Sequence, residues 1–269
     1  SLLIAGTPTG FRFLSPALLV AARLLQGLSV GGEYGASATY VSEMAGETRR
    51  GFWSGFLYVT LIGGQLAAML LQVLLQNVLS EAQLFDWGWR IPFVVGAALA
   101  VVVFWIRRGI HETRSFTQAP EPPHERGKAM LLFLKYPKET AIVVALTAGG
   151  GLGFYTYTTY MQKLLVNTAG FDKPVAARVM TAVLATFMVF PPLVGWISDH
   201  VGRKVTLVVA FGMSALLAVP VLSAIARATD PVAVYLLCLL PLFFLSGYSA
   251  LSAIVKAELY PAHIRAIGV

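Results

Sequence analysis

Apolar residues in this chain fall into runs of the length a membrane-spanning helix needs, separated by polar connections. Such runs lie near 17–41, 52–77, 90–108, 140–162, 175–197, 205–226 and 232–256. About 20 consecutive, mostly apolar residues cross the hydrocarbon core as a helix, the form in which a lone segment satisfies its own backbone hydrogen bonds. The expected fold class is therefore all-α, a polytopic helical bundle in lipid with seven crossings and its two ends on opposite sides. Between the third and fourth runs, the segment APEPPHERGK is too polar and proline-rich to be buried. The chain thus divides into a helical part at 1–108, a linker at 109–139 and a second helical part at 140–269.

Composition agrees with a lipid surroundings: 57% of residues are hydrophobic and 12% charged, against about 25% charged in a soluble domain. The net charge of +7 does not point to nucleic acid, because Lys and Arg follow the alternation of the connections: thirteen fall on one side, six on the other, and Arg23 lies within a run. The side holding Arg49, Arg50, the 107–139 cluster, Arg203, Lys204, Lys256 and Arg265 is expected to be cytoplasmic. The single cysteine, Cys238, rules out a disulfide within the chain and a cysteine metal cage. His111, His124, His200 and His263 stand at unrelated spacings, so neither a metal nor a cofactor is expected. No run carries paired carboxylates or a Ser/His arrangement suited to catalysis. The apolar start SLLIAG lacks the parts of a signal peptide, and with the end RAIGV it reads as the inside of a longer chain.

The first run carries charge within it. In RLLQGLSVGGEYG (23–35), at about 100° per residue, Arg23, Gln26, Glu33, Ser37 and Tyr40 fall on one polar stripe. Gly27, Gly31 and Gly35 recur every fourth residue on another face, where a neighbouring helix can approach closely. Arg23 and Glu33 stand roughly 15 Å apart along the axis, too far to pair within their own helix. A charge at the bilayer centre costs at least about 2.5–3.5 kcal/mol, so each is a candidate for a partner elsewhere or an aqueous path, and acids in that setting serve as proton carriers. Two readings stand for each: Arg23 attracts an anion or snorkels to the outer headgroups, and Glu33 carries a proton or packs protonated.

Other runs add polar stripes. Tyr58, Gln65 and Gln72 recur every seventh residue, a polar path or a set of interhelical amide bonds. Tyr155, Thr158, Thr159 and Gln162 follow the i, i+3, i+4, i+7 spacing of a helix face suited to a carboxylate-bearing ligand; the preceding AGGGLG (148–153) permits bending or close packing. Ser249, Ser252 and Lys256 share a stripe in the last run, with Lys256 near the cytoplasmic end and expected to snorkel. Pro191, Pro192, Pro220 and Pro241 are expected to kink their spans. Trp87, Trp89, Trp105 and Tyr58 are expected at the headgroups, with Arg90 closing an outer boundary.

Two connections on the basic side resemble each other: SEMAGETRRG and AELYPAHIRAIG place Glu43 and Arg50, and Glu258 and Arg265, at the same separation. A third, GWISDHVGRK (195–204), resembles the G-x-x-x-D-x-x-G-R-K loop of the major facilitator superfamily, with Gly195, Asp199, Gly202, Arg203 and Lys204 in the matching places. Arg23, Gln26 and Gly27 are similar to that superfamily's R-x-x-Q-G signature, associated with proton coupling. WGWRIPF (87–93) and ELYPAHIRAIG (258–268) extend the likeness to its metabolite:H+ symporter branch, over essentially the whole chain.

The resemblance implies a truncated major facilitator bundle, about spans four to ten of twelve, with 1–108 and 140–269 belonging to its two helical halves. It implies a monomeric, multi-pass symporter of the bacterial inner membrane that carries a small organic anion by alternating access. The foremost substrate is a dicarboxylate such as alpha-ketoglutarate, with the proton as coupling ion and no cofactor. The substrate and proton path would draw on Arg23, Gln26, Glu33, Gln65, Tyr155, Thr158, Thr159 and Gln162. The cytoplasmic gate would draw on Glu43, Arg50, Asp199, Gly202, Arg203, Lys204, Glu258 and Arg265. A dicarboxylate calls for two cations, and Arg23 alone stands out as a buried one. Citrate, shikimate, and proline or betaine are the alternatives within the branch, a quaternary ammonium calling for an aromatic cage. A seven-helix receptor or sensor is the alternative from another class.

Overall fold

The computed structural model describes residues 14–45, 49–108, 134–261 and 264–269. Outside the described residues lie Arg12, His111, His124, His263 and most of the 109–139 linker, and the side chains of Glu43 and Arg265 are likewise not described. All regular structure among the described residues is helical. Its elements are α1 (Leu14–Met44), α2 (Arg50–Val78), α3 (Glu81–Asp86), α4 (Ile91–Arg107), α5 (Pro137–Tyr155), α6 (Met161–Asn167), α7 (Lys173–Phe187), α8 (Phe190–Val201), α9 (Arg203–Arg227), α10 (Pro231–Glu258) and α11 (Arg265–Gly268).

Six helical tracts among the described residues are long and apolar enough to cross a membrane: Arg50–Val78, Gly88–Ile106, Pro137–Asn167, Lys173–Val201, Arg203–Arg227 and Pro231–Glu258. The expected seventh, near 17–41, forms the 31-residue α1.

Helix α10 is the centre of the packing, touching α1, α2, α5, α7, α8 and α9. Asp230 starts it, its carboxylate accepting from the amides of Val232 at 3.1 Å and Ala233 at 3.2 Å, as an N-cap should. Along its second half the sequence SGYSALSA is small and apolar enough for helices to close in on several sides, and residues 245–254 are buried. Around α10 gather Tyr58 and Ile62 of α2, Phe154 of α5, Met161 of α6, and Met180 and Phe187 of α7.

Pro191 and Pro192 stand in the first turn of α8, where the Lys173–Val201 tract interrupts its regular α-helical bonding; Met188 and Val189, still helical in φ and ψ, join α7 to α8 there, at the place where prolines are expected to bend a span. Helices α9 and α10 continue past Pro220 and Pro241. Of the 148–153 glycines, Gly149, Gly150 and Gly153 serve close packing, while Gly151 faces open space. A Cβ on Gly150 would stand 2.2 Å from the Tyr248 ring, and one on Gly153 would stand 3.1 Å from Leu245.

The closest backbone approach joins α2 to α8. A Cβ on Gly51 would lie 2.4 Å from the Gly195 carbonyl oxygen, one on Gly195 would lie 2.2 Å from that of Gly51, and one on Gly55 would lie 2.6 Å from that of Pro191. Since backbone cannot move aside as a flexible side chain does, Gly195→Ala in the full-length protein is expected to cost about 1–3 kcal/mol. Gly212→Ala on α9, where nothing lies within 4 Å, is expected to be neutral or mildly stabilising by about 0.5–1 kcal/mol. Thermal unfolding in detergent separates the two, and equal midpoints would contradict the contact.

Candidate functional site

The helix packing gathers charge at one end of the bundle. Asp199, in the last turn of α8, accepts hydrogen bonds from the backbone amides of Gly51 at 2.8 Å and Phe52 at 3.1 Å. A carboxylate from one helix thus caps the first turn of another, where free amides and the helix dipole favour negative charge. Gly202 stops α8 directly afterwards. Its φ of +98° is a conformation L side chains rarely adopt, and its amide closes on the Ser198 carbonyl at 2.9 Å. That turn sets Arg203 at the start of α9, where it pairs with one carboxylate oxygen of Glu258, while Arg50 lies 3.5 Å from the other.

Glu258, at the end of α10, therefore bridges α2 and α9. The three side chains remain 31–39% exposed, so each pair is weak and reversible. The expected gate residues Arg50, Asp199, Gly202, Arg203 and Glu258 come together here, whereas Lys204 is exposed to one side. The helices that carry Glu43 and Arg265, α1 and α11, pack against each other.

Two residues before Glu258, Lys256 departs from expectation: it is 2% exposed and does not snorkel. Helices α1 and α2 pack on α10, and the Tyr34 ring of α1 stands against the Lys256 amine. The Lys256 Nζ donates to the Tyr248 hydroxyl at 3.4 Å and lies 5.5 Å from the ring centroids of both Tyr34 and Tyr248. The Tyr34 hydroxyl and Ser252 Oγ share a hydrogen bond of 3.2 Å. Tyr58, expected at the headgroups, is instead buried, edge-on to Phe154 at 5.5 Å and to Tyr248 at 6.2 Å. The signal in the sequence was the four-residue spacing of Tyr248, Ser252 and Lys256, which puts hydroxyls and the amine on one face. Trp87, Trp89 and Trp105 are exposed, and Arg90 donates to the Asp86 carbonyl at 2.7 Å.

The candidate path residues are more dispersed. Arg23 Nη1 donates to Gln26 Oε1 at 2.8 Å, and Arg23, Gln26 and Glu33 are exposed in this chain. Of the α1 glycines only Gly35 packs: nothing lies within 4 Å of where a Cβ on Gly27 or Gly31 would stand. Arg23 and Tyr34 lie roughly 20° apart around the helix, so Arg23 projects on the side that meets α10 further along. Gln65 is half-buried, with its Oε1 buried and unpartnered among the described residues.

The side chains of the 155–162 stripe have mixed surroundings. Tyr155 and Thr159 are exposed and Gln162 is half-buried, while the buried Thr158 hydroxyl donates to the Phe154 carbonyl at 2.7 Å. The cause is a π-helical turn over Thr156–Tyr160, whose wider winding breaks α-helical register. Tyr157 takes the inward place instead, its hydroxyl buried.

This arrangement, membrane helices clamped at one end by ion pairs around a buried cation, agrees with the family comparison: the chain belongs to the Major Facilitator Superfamily, whose family model matches residues 1–269. It is 48% identical over 272 residues to the alpha-ketoglutarate permease of Escherichia coli (strain K12), covering 100% of this chain and 62% of that relative. It is 29% identical over 277 residues to the citrate-proton symporter of Salmonella typhi, covering 100% and 62%. With a putative proline/betaine transporter of Staphylococcus haemolyticus (strain JCSC1435) it shares 29% identity over 252 residues, covering 93% and 54%. The chain thus spans about half to three-fifths of the length of these relatives. No solved structure matches. The chain is part of a multi-pass membrane protein of a transporter family, not an enzyme family.

Asp199→Ala would leave two amides at the start of α2 without their acceptor and is expected to lower stability by about 1–3 kcal/mol. Asp199→Asn keeps one acceptor and should recover part of that loss. Thermal unfolding of the full-length variants measures both, and identical melting of all three proteins would contradict the cap.

Proposed function

We propose that the full-length protein is a proton-coupled symporter of the bacterial inner membrane that moves a small organic anion, a dicarboxylate such as alpha-ketoglutarate, by alternating access. The observation that carries this reading is the 48% identity along the whole chain to a protein named alpha-ketoglutarate permease, against 29% to the citrate and proline/betaine relatives. The clamp supports it. By the distribution of Lys and Arg its end of the bundle is cytoplasmic, and the Arg50–Glu258–Arg203 bridge together with Asp199 on α2 closes that end. Transport then requires this end to part as two helical halves, to which 1–108 and 140–269 belong, rock about a central site.

In this scheme the protein works as a monomer. Arg23 and Gln26 face the anion's route along α1, Gln65 lends its unpartnered oxygen, and Glu33 takes part in the proton step. Thr158 and Tyr157 line the inward side of the π-helical turn.

The test is uptake by the full-length protein in proteoliposomes with an imposed pH gradient. Labelled alpha-ketoglutarate should accumulate, the accumulation should collapse with a protonophore, and unlabelled dicarboxylate should compete where glycine betaine does not. Competition by betaine alone would transfer the protein to the osmolyte carriers. Glu33→Gln is expected to abolish gradient-driven accumulation while downhill exchange persists; accumulation at the wild-type level would remove Glu33 from the proton step.

A further inference from the structure

Among the described residues, Lys256 is a buried cation without a counter-charge. Its ammonium carries three donors, of which the structure engages one, toward the Tyr248 hydroxyl at 3.4 Å. No carboxylate among the described residues pairs with it. Glu258, the acid nearest in sequence, is committed to Arg50 and Arg203. Burying an ammonium is costly unless an anion and further hydrogen bonds complete its surroundings, and the two flanking ring faces make up only part of that cost. Around the amine stand groups suited to an anion: the Ser252 and Tyr34 hydroxyls, 3.2 Å apart, and the Tyr248 hydroxyl.

Resting on the transporter reading above, we infer that Lys256, with Tyr34, Tyr248 and Ser252, is the binding subsite for one carboxylate group of the transported acid. Tyr34 reaches it from α1 and the other three from α10, so a bound carboxylate touches both helical parts of the chain. Rings surrounding a positive charge recognise quaternary ammonium groups, but here the protein's own ammonium already occupies the place between the rings. A betaine headgroup is therefore repelled and an organic anion accepted. The subsite lies two residues inside Glu258 on the same helix, so separation of α2 from the end of α10, which breaks the Arg50–Glu258 pair, is also what uncovers Lys256 to the cytoplasm.

The experiment uses the full-length protein in proteoliposomes, with alpha-ketoglutarate and glycine betaine as probes. Lys256→Met should weaken half-saturation by dicarboxylate about tenfold or more, and Lys256→Arg should fall between it and the wild type. Ser252→Cys, a near-isosteric change that does not depend on the lysine variants folding, should react with a small thiol reagent several-fold more slowly under saturating alpha-ketoglutarate, and at an unchanged rate with glycine betaine. Wild-type affinity in Lys256→Met, or a Ser252→Cys protein that transports dicarboxylate yet gains no protection from it, would overturn the subsite and leave the transporter reading standing. A wild-type protein that takes up no dicarboxylate would overturn both.

Discussion

A carboxylate seated on the first turn of a neighbouring helix governs one end of this protein. Asp199 can reach the amides of Gly51 and Phe52 only because Gly51 and Gly195 let two backbones meet with no side chain between them. Once α2 is docked on α8 in this way, Arg50 stands beside the end of α10, and the turn at Gly202 delivers Arg203 to the other side of Glu258. Removing either glycine's freedom to approach would displace the charged groups as well, so packing and electrostatics at this end are one constraint.

The same constraint fits a reversible closure. Partly solvated ion pairs contribute little individually, and a helix cap contributes about 1 kcal/mol. A sum of such terms holds a state without making it permanent. Glycine contacts between backbones are short-ranged and separate cleanly when helices move apart. What must not be left unpaired is the buried ammonium of Lys256, and its place just inside the clamp ties the charge balance of the interior to the opening of this end.

Much of this was legible in the sequence, and the misses have physical causes. The loop pattern put Asp199 and Arg203 among the candidate gate residues, and the recurrence of Glu43/Arg50 and Glu258/Arg265 added Arg50 and Glu258, without saying which groups would meet. That Arg50 reaches across to Glu258 depends on α2 lying against α10, which no local pattern encodes. Lys256 was assigned to the headgroups because a lysine at the end of a span ordinarily snorkels; only the packing of α1 and α2 on α10 reverses that. Tyr58 lies inward because Phe154 of α5 and Tyr248 of α10 pack against its ring. The stripe at 155–162 assumed uniform α-helical winding, and the π-helical turn at Thr156–Tyr160 changed which side chain turns inward. In α1 the polar stripe is exposed at Arg23, Gln26, Glu33 and Tyr40, while it is the neighbouring Tyr34 that bonds to Ser252 of α10, a contact set by helix docking and not by local pattern.

The central claim, that Asp199 holds α2 to α8 and thereby keeps this end closed, is tested most directly by a distance. Spin labels placed at the exposed positions Trp53 on α2 and His200 on α8 report their separation in the full-length protein by pulsed electron paramagnetic resonance. A single short distance in the resting protein that gives way to a longer population in Asp199→Asn is the predicted result. An unchanged distance distribution in that variant would contradict it.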